Sequence, residues 1–197
     1  MKIYDISQEV FGCVVYPGDP APKKQVLCDM AEGDLYNLTA FAMCSHNGTH
    51  VDAPAHFLQN GQTIDQIPME RYVGQAVVIS HEGELTETHA QEILAKHSQD
   101  HAPLRLLVKG AATLTLPAAK IFAEAGIYLY GNESQTVGPE DSPMAVHLVL
   151  LGADVVLLEG VRLGHVPDGE YLLCAAPLCL GGAEGAPCRA VLMDVGR

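Results

Sequence analysis

Tryptophan is missing from this chain of 197 residues, and aromatic residues together make up only 6% of it. Any core must therefore rest on aliphatic side chains, which a hydrophobic content of 48% supplies. Positive charge is scarce as well. Eleven Lys and Arg stand against 24 Asp and Glu, a formal net charge of −13. The basic residues are scattered, so nothing offers the clustered cations that a phosphate backbone needs, and no nucleic-acid partner is expected. No apolar run approaches the roughly 18 residues of a membrane-spanning helix. The start, Met1-Lys2-Ile3-Tyr4-Asp5, runs into mixed polar residues rather than the apolar stretch of a secretory leader. These absences point to a cytoplasmic protein with no membrane partner. Cys13, Cys28, Cys44, Cys174, Cys179 and Cys188 include no C-x-x-C pair, which excludes a zinc ribbon or a thioredoxin-type motif. In a reducing compartment these thiols are expected to be unpaired and mostly buried.

What is present fits one domain spanning residues 1–197. Charged residues, at 18%, fall below the roughly 25% usual in globular chains, which leaves apolar surface for a subunit interface. Short apolar runs read as strands at Lys2–Ser7, Gln75–Ser80, Leu104–Lys109, Ile127–Tyr130, Val155–Leu158, Tyr171–Cys174 and Ala190–Met193; Leu35–Met43 alternates loosely and reads as another. Between them, Thr86–Lys96 and Pro117–Glu124 have the caps and periodicity of helices. A third helix should start with Ser142 as its cap and Pro143 as its first residue, and end near Gly152. Strands alternating with helices indicate an α/β fold, a mixed β-sheet with flanking helices.

The chemistry concentrates in Ser45-His46-Asn47-Gly48-Thr49-His50-Val51-Asp52-Ala53-Pro54-Ala55-His56-Phe57. Gly48, Thr49, Val51 and Pro54 argue against a helix there. A fully extended chain would hold His46 and Asp52 about 20 Å apart. A turn at Asn47-Gly48 reconciles the pattern by folding His46 back toward His50. His50 and Asp52 then share one side of a short strand, and Pro54 redirects His56 toward the same cavity. Two imidazoles and a carboxylate suit Zn²⁺, with Mn²⁺ possible, and leave coordination positions open as catalytic sites do. A second ion needs more ligands. Glu159, closing an apolar strand, and His147, in the third helix, are the candidates, because a buried lone carboxylate is costly. His81, His89, His97, His101 and His165 sit in polar or turn-like surroundings and read as solvated.

The segment from His46 to Phe57 resembles the signature H-x-G-x-H-x-D-x-P-x-H-[FY] of the bacterial cyclase family, the group that includes kynurenine formamidase, and meets every fixed position. Tyr16-Pro17-Gly18-Asp19 resembles that family's [WY]-P-G-D segment. His147 with Glu159-Gly160, and Arg189-Ala190-Val191-Leu192, resemble its second ligand pair and closing strand. The resemblance implies a swivelling β/β/α-type domain, paired as a homodimer or higher homo-oligomer. It implies one ion on His46, His50 and Asp52, a second completed by His147 and Glu159, and a carboxylate shared between them. His56 would be the catalytic acid/base. The implied reaction is hydrolysis of a small-molecule amide, an aryl formamide such as N-formylkynurenine in tryptophan catabolism, or a cyclic amide such as isatin. A metal-binding protein without turnover is the reading from another class. Tyr16 and Phe57 are the aromatic candidates for contact with the substrate. One departure stands out: Gly131-Asn132-Glu133-Ser134 replaces the Asp-Thr-Pro-Ser-like segment common in family formamidases.

Overall fold

A computed structural model describes residues 1–97 and 104–196. His101 lies outside the described residues. In chain order the strands are β1 (Lys2–Asp5), β2 (Lys23–Cys28), β3 (Leu38–Ala42), β4 (His50–Asp52), β5 (Val73–Ser80), β6 (Gly83–Leu85), β7 (Arg105–Lys109), β8 (Ala112–Leu114), β9 (Leu129–Asn132), β10 (Val156–Glu159), β11 (Gly169–Cys174), β12 (Gly185–Pro187) and β13 (Val191–Asp194). The helices are α1 (Glu87–His97), α2 (Leu116–Glu124) and α3 (Met144–Gly152). Nine strands form one mixed sheet in the order β1-β13-β11-β5-β7-β9-β10-β4-β12. The run β5-β7-β9-β10 is parallel, and the pairings on either side of it are antiparallel. The parallel strands are apolar on both faces, because both faces are covered.

Alternation along the strands sorts side chains into two cores. On one face Val77, Leu106, Val108 and Leu157 pack with Ala90 of α1, Ala118 and Phe122 of α2, and Val146, Leu150 and Leu151 of α3. On the other, Ile6, Val51, Val78, Leu107, Val156, Leu158 and Leu192 form a second layer. Parity along β10 then matters. Leu157 faces the helices, so Glu159, two residues on, points to the same side and toward α3.

The expected strands and helices occur at shifted boundaries. One cap differs: Pro143, not Ser142, is the N-cap of α3, with a φ of −73° and ψ of −19° already helical, and Met144 is the first helical residue. The Pro143 carbonyl accepts the amides of Val146 and His147, while Ser142 turns its hydroxyl to Asp141 instead of capping. Nothing in the residue pattern marked β2, β6, β8 or β12. Of these, β2 pairs with β3 in a separate two-stranded sheet. The cysteines carry no disulfide, yet none is fully buried; five are half-buried and Cys179 is exposed. No helix among the described residues is long and apolar enough to cross a membrane.

Candidate metal centre

The histidine segment turns earlier than its sequence suggested: the hydrogen-bonded turn runs from Cys44 to Asn47 with Ser45 and His46 at its centre, and Asn47–Thr49 only bends. Asn47 Oδ1 accepts the amide of Cys44 at 2.8 Å, and the Asn47 amide reaches the Cys44 carbonyl at 3.2 Å. Gly48 follows in the left-handed region, φ +67°, where a side chain would be strained. Thr49 then anchors the turn to the end of β10, giving its hydroxyl to the Gly160 carbonyl at 2.8 Å. The chain continues as β4, and Pro54 starts a single 3-10 turn, Pro54–His56, that carries His56 round.

Strand pairing completes the site. In the antiparallel register between β4 and β10, Glu159 lies opposite His50 and Leu157 opposite Asp52. Val51 belongs to the far core, so His50 and Asp52 share the helix-facing side with Glu159. There α3 lowers His147 onto them. Asp52 is the hub: Oδ1 lies 2.8 Å from His46 Nδ1 and 3.4 Å from His50 Nε2, and Oδ2 lies 3.7 Å from His147 Nε2. Glu159 lies 3.3 Å from His50 Nε2 and 3.2 Å from His147 Nε2. Two groups of ligand atoms result, His46–His50–Asp52 and Asp52–His147–Glu159, each gathered within 4.8 Å. They share Asp52.

The donor chemistry fits divalent cations. Nε2 of His50 and Oδ2 of Asp52 are buried and have no hydrogen-bond partner among the described residues. Their charged neighbours stand at 3.3–3.7 Å without hydrogen-bond geometry, buried polar atoms so placed are costly, and a cation between them would satisfy both. The ring nitrogens facing away are already committed. His50 Nδ1 meets the Gly48 carbonyl at 3.0 Å, and His147 Nδ1 meets the Pro143 carbonyl at 2.9 Å. Each carbonyl fixes the N–H on Nδ1 and frees the Nε2 lone pair for a metal, a common outer arrangement at metal-bound histidines. The Glu159 carboxylate is oriented by the amide of Val137 at 2.8 Å.

Without a cation, protons mediate between these groups. Burial works to raise the Asp52 pKa, but the imidazoles of His46 and His50 overcome it and hold the carboxyl well below its usual range. Burial disfavours charge on His50, yet Asp52 and Glu159 raise its pKa well above 6.5. His147 is raised on the same balance, chiefly by Glu159. His56 goes the other way. Its burial, helped by the positive potential of His46 and His147, lowers its pKa and favours the neutral ring.

His56 stacks on His46, with ring centres 4.1 Å apart, and makes no side-chain hydrogen bond among the described residues. Phe57 closes the wall, its ring 4.5 Å from His56 and 4.7 Å from His147. Six of the expected site residues thus converge, and Phe57 borders them. Tyr16 does not join them. Its hydroxyl lies 3.4 Å from the Glu140 carbonyl, and it lines a separate cavity of about 530 Å³ with Ser134, Thr136 and Arg162. His81, His89, His97 and His165 belong to neither cluster. Only His165 of these is exposed; the other three are half-buried, His89 against the start of α1. A residue missed in the sequence is Glu184, whose carboxylate reaches His46 Nε2 at 3.2 Å. Nothing near it in the chain marks it out; β12 brings it in.

A family profile described as putative cyclase matches residues 4–137, which includes the histidine segment but stops short of His147 and Glu159. A protein named kynurenine formamidase from Salinibacter ruber is 34% identical over 208 residues, covering 98% of each chain. One of the same name from Bacillus anthracis is 32% identical over 205 residues, again covering 98% of each. Among solved structures, one titled as a potential metal-dependent hydrolase with cyclase activity superposes with a TM-score of 0.82 at 27% identity, covering 100% of this chain and 99% of the other. Isatin hydrolase A from Labrenzia aggregata shares the fold, with a TM-score of 0.81 at 24% identity over 99% of this chain and 94% of its own.

Proposed function

Because the chain belongs to the putative cyclase family, we propose that it is a metal-dependent hydrolase of amide C–N bonds, acting on an open aryl formamide of the N-formylkynurenine type. The observation that carries the proposal is the pair of three-ligand clusters joined at Asp52, with the unbonded His56 ring stacked on one of them. His46, His50 and Asp52 would hold one ion, and Asp52, His147 and Glu159 the other. Nitrogen and oxygen donors suit Zn²⁺ and Mn²⁺ alike. When bound, such cations supply Lewis acidity, lowering the pKa of water and polarising an amide carbonyl.

The protein's own residues do the rest. Asp52, buried and shared, fixes the spacing of the clusters. The main-chain carbonyls behind His50 and His147 stop their rings from turning. His56 is the group free to move a proton. Its neutral form is favoured near pH 7, so a ring nitrogen can take a proton from water and deliver it to the leaving nitrogen. An amine leaves poorly unless protonated, which is why amide cleavage needs this residue. Phe57 offers an apolar ring beside His56, suited to an aryl group in the substrate.

The net charge of −13 favours cations and disfavours anionic substrates, and N-formylkynurenine is zwitterionic. We also propose a homodimer, supported by the exposed apolar side chains of Val26, Leu27 and Phe41 on the β2–β3 hairpin. The deciding experiment compares a formanilide with an isatin-like lactam, before chelation, after it, and after restoring Zn²⁺ or Mn²⁺. Chelator-sensitive cleavage of the open formamide is expected. Preference for the lactam would move the substrate to the cyclic amides, and inertness toward both by metal-loaded protein would leave a metal-binding protein without turnover.

A further inference from the structure

His46 is held differently from the other two imidazoles. His50 and His147 are fixed by main-chain carbonyls, which cannot move without the backbone. His46 turns Nδ1 inward, 2.8 Å from Asp52, and its outward Nε2 meets a side chain, Glu184, at 3.2 Å. Glu184 is itself held. Ser45 gives its hydroxyl to the same carboxylate oxygen at 2.6 Å, and the Glu184 carbonyl accepts the Ala53 amide at 2.9 Å. The next residue, Gly185, lies opposite Asp52 in the β12–β4 pairing and is pressed against the His46 ring. A Cβ there would stand 2.8 Å from His46 Cε1 and 3.0 Å from the Val51 carbonyl. A carboxylate, a hydroxyl and a bare Cα therefore form a seat for one ring. The seat lies at the rim of the site: the Glu184 side chain is 43% exposed and that of His46 13%, against 3% or less for His50, Asp52, His147 and Glu159.

We propose that Glu184 is a positioning residue that, with Ser45 and Gly185, holds His46 in the tautomer and orientation making Nδ1 a cation ligand. It thereby sets occupancy of the His46–His50–Asp52 site and leaves the Asp52–His147–Glu159 site untouched. The inference rests on the reading of the two clusters as cation sites. A carboxylate accepting the outer N–H of a metal-bound histidine fixes its tautomer and raises its basicity, and removing such a partner costs about 10–100-fold in metal affinity. The inner site shares Asp52 with the outer one but takes no ligand from His46 or β12, so the loss falls chiefly on one ion.

The experiment is calorimetric titration of Zn²⁺ into the metal-free full-length chain, with Co²⁺ spectra as a second reading. Glu184→Ala should weaken one ion about 10–100-fold, keep the other within about twofold, and perturb the cobalt spectrum of the weakened ion alone. Glu184→Gln, whose amide oxygen can still accept the N–H, should recover part of the loss. Gly185→Ala crowds the same ring from another side and should weaken the same ion. The thermal midpoint of metal-free Glu184→Ala should match wild type, which separates positioning from folding. Unchanged affinities, or equal weakening of every ion, would overturn the role of Glu184 while leaving the metal centre intact. A wild-type chain that takes up no Zn²⁺ at micromolar concentration would overturn the metal centre itself, and the inference with it.

Discussion

Asp52→Asn tests the shared carboxylate most directly. Asparagine keeps the volume and one oxygen but loses the charge, and its amide nitrogen cannot ligate a cation. Whichever way it turns, one cluster loses its ligand atom and the other keeps a weaker one, because Oδ1 faces His46 and His50 while Oδ2 faces His147. Structural zinc sites with four ligands bind with about 10–16 kcal/mol, so one ligand contributes roughly 3 kcal/mol, or a factor of about 100 in affinity. With free metal at about 100 times the wild-type Kd, one bound ion stabilises the fold by about 2.7 kcal/mol; a hundredfold loss leaves about 0.4 kcal/mol. For a chain of this size 1 kcal/mol moves the midpoint by about 2–4 °C, so the metal-induced shift per ion should fall from about 5–11 °C to about 1–2 °C. Scanning calorimetry with and without Zn²⁺ reads this directly. Glu159→Gln, which removes a ligand from the inner cluster and leaves the three ligands of the outer one in place despite its 3.3 Å contact to His50, should remove chiefly one ion's share. A metal-induced shift in Asp52→Asn equal to wild type, or equal losses in the two variants, would refute the shared-carboxylate reasoning.

Further outcomes follow from the same geometry. In metal-free protein the raised pKa values of His50 and His147 add stability that is full below about pH 6.5 and lost as pH climbs through the folded values, while the lowered pKa of Asp52 adds stability present above about pH 3.8 and lost below it. Chelated protein should therefore lose stability from neutral to alkaline pH while the metal-loaded form gains, since ligands must shed protons to bind; parallel unfolding curves across that range would contradict this. His56→Ala should slow amide cleavage about 10²–10⁴-fold but slow an activated ester much less, because an ester's leaving group needs no proton; equal losses on both substrates would remove His56 from proton transfer. Gly160, with φ of +68°, has no room for a Cβ between Gln135, the Gly48 carbonyl and Gln8. Gly160→Ala should cost at least about 2 kcal/mol in chemical denaturation, and a cost under about 0.5 kcal/mol would show that the β10 end and the histidine turn are not locked together.

Much of the centre was legible in the chain. Even spacing placed His50 and Asp52 on one face of a strand, Asn47-Gly48 announced a change of direction after His46, though the hydrogen-bonded turn closes earlier, over Cys44–Asn47, and Pro54 announced the bend before His56. Glu159, a carboxylate ending an apolar strand, declared itself by the cost of burying it alone. These are local facts, set by backbone geometry within a few residues. The supporting partners were not local. Glu184 reads as one more surface acid in an acidic chain, and Gly185-Ala186-Pro187 has little strand propensity; β12 exists because β4 offers it an edge. Nor was the partner of Tyr16, whose hydroxyl reaches the Glu140 carbonyl more than a hundred residues away, marked in its own segment.

Residue order alone settled which side chains could share a face and which donor types would meet. Tertiary structure settled that they do meet. The β4–β10 register sets Glu159 opposite His50, and α3 brings His147 down on that face, making Asp52 common to both clusters. Strand register and helix docking arise from packing between distant segments, and periodicity within either segment is blind to them.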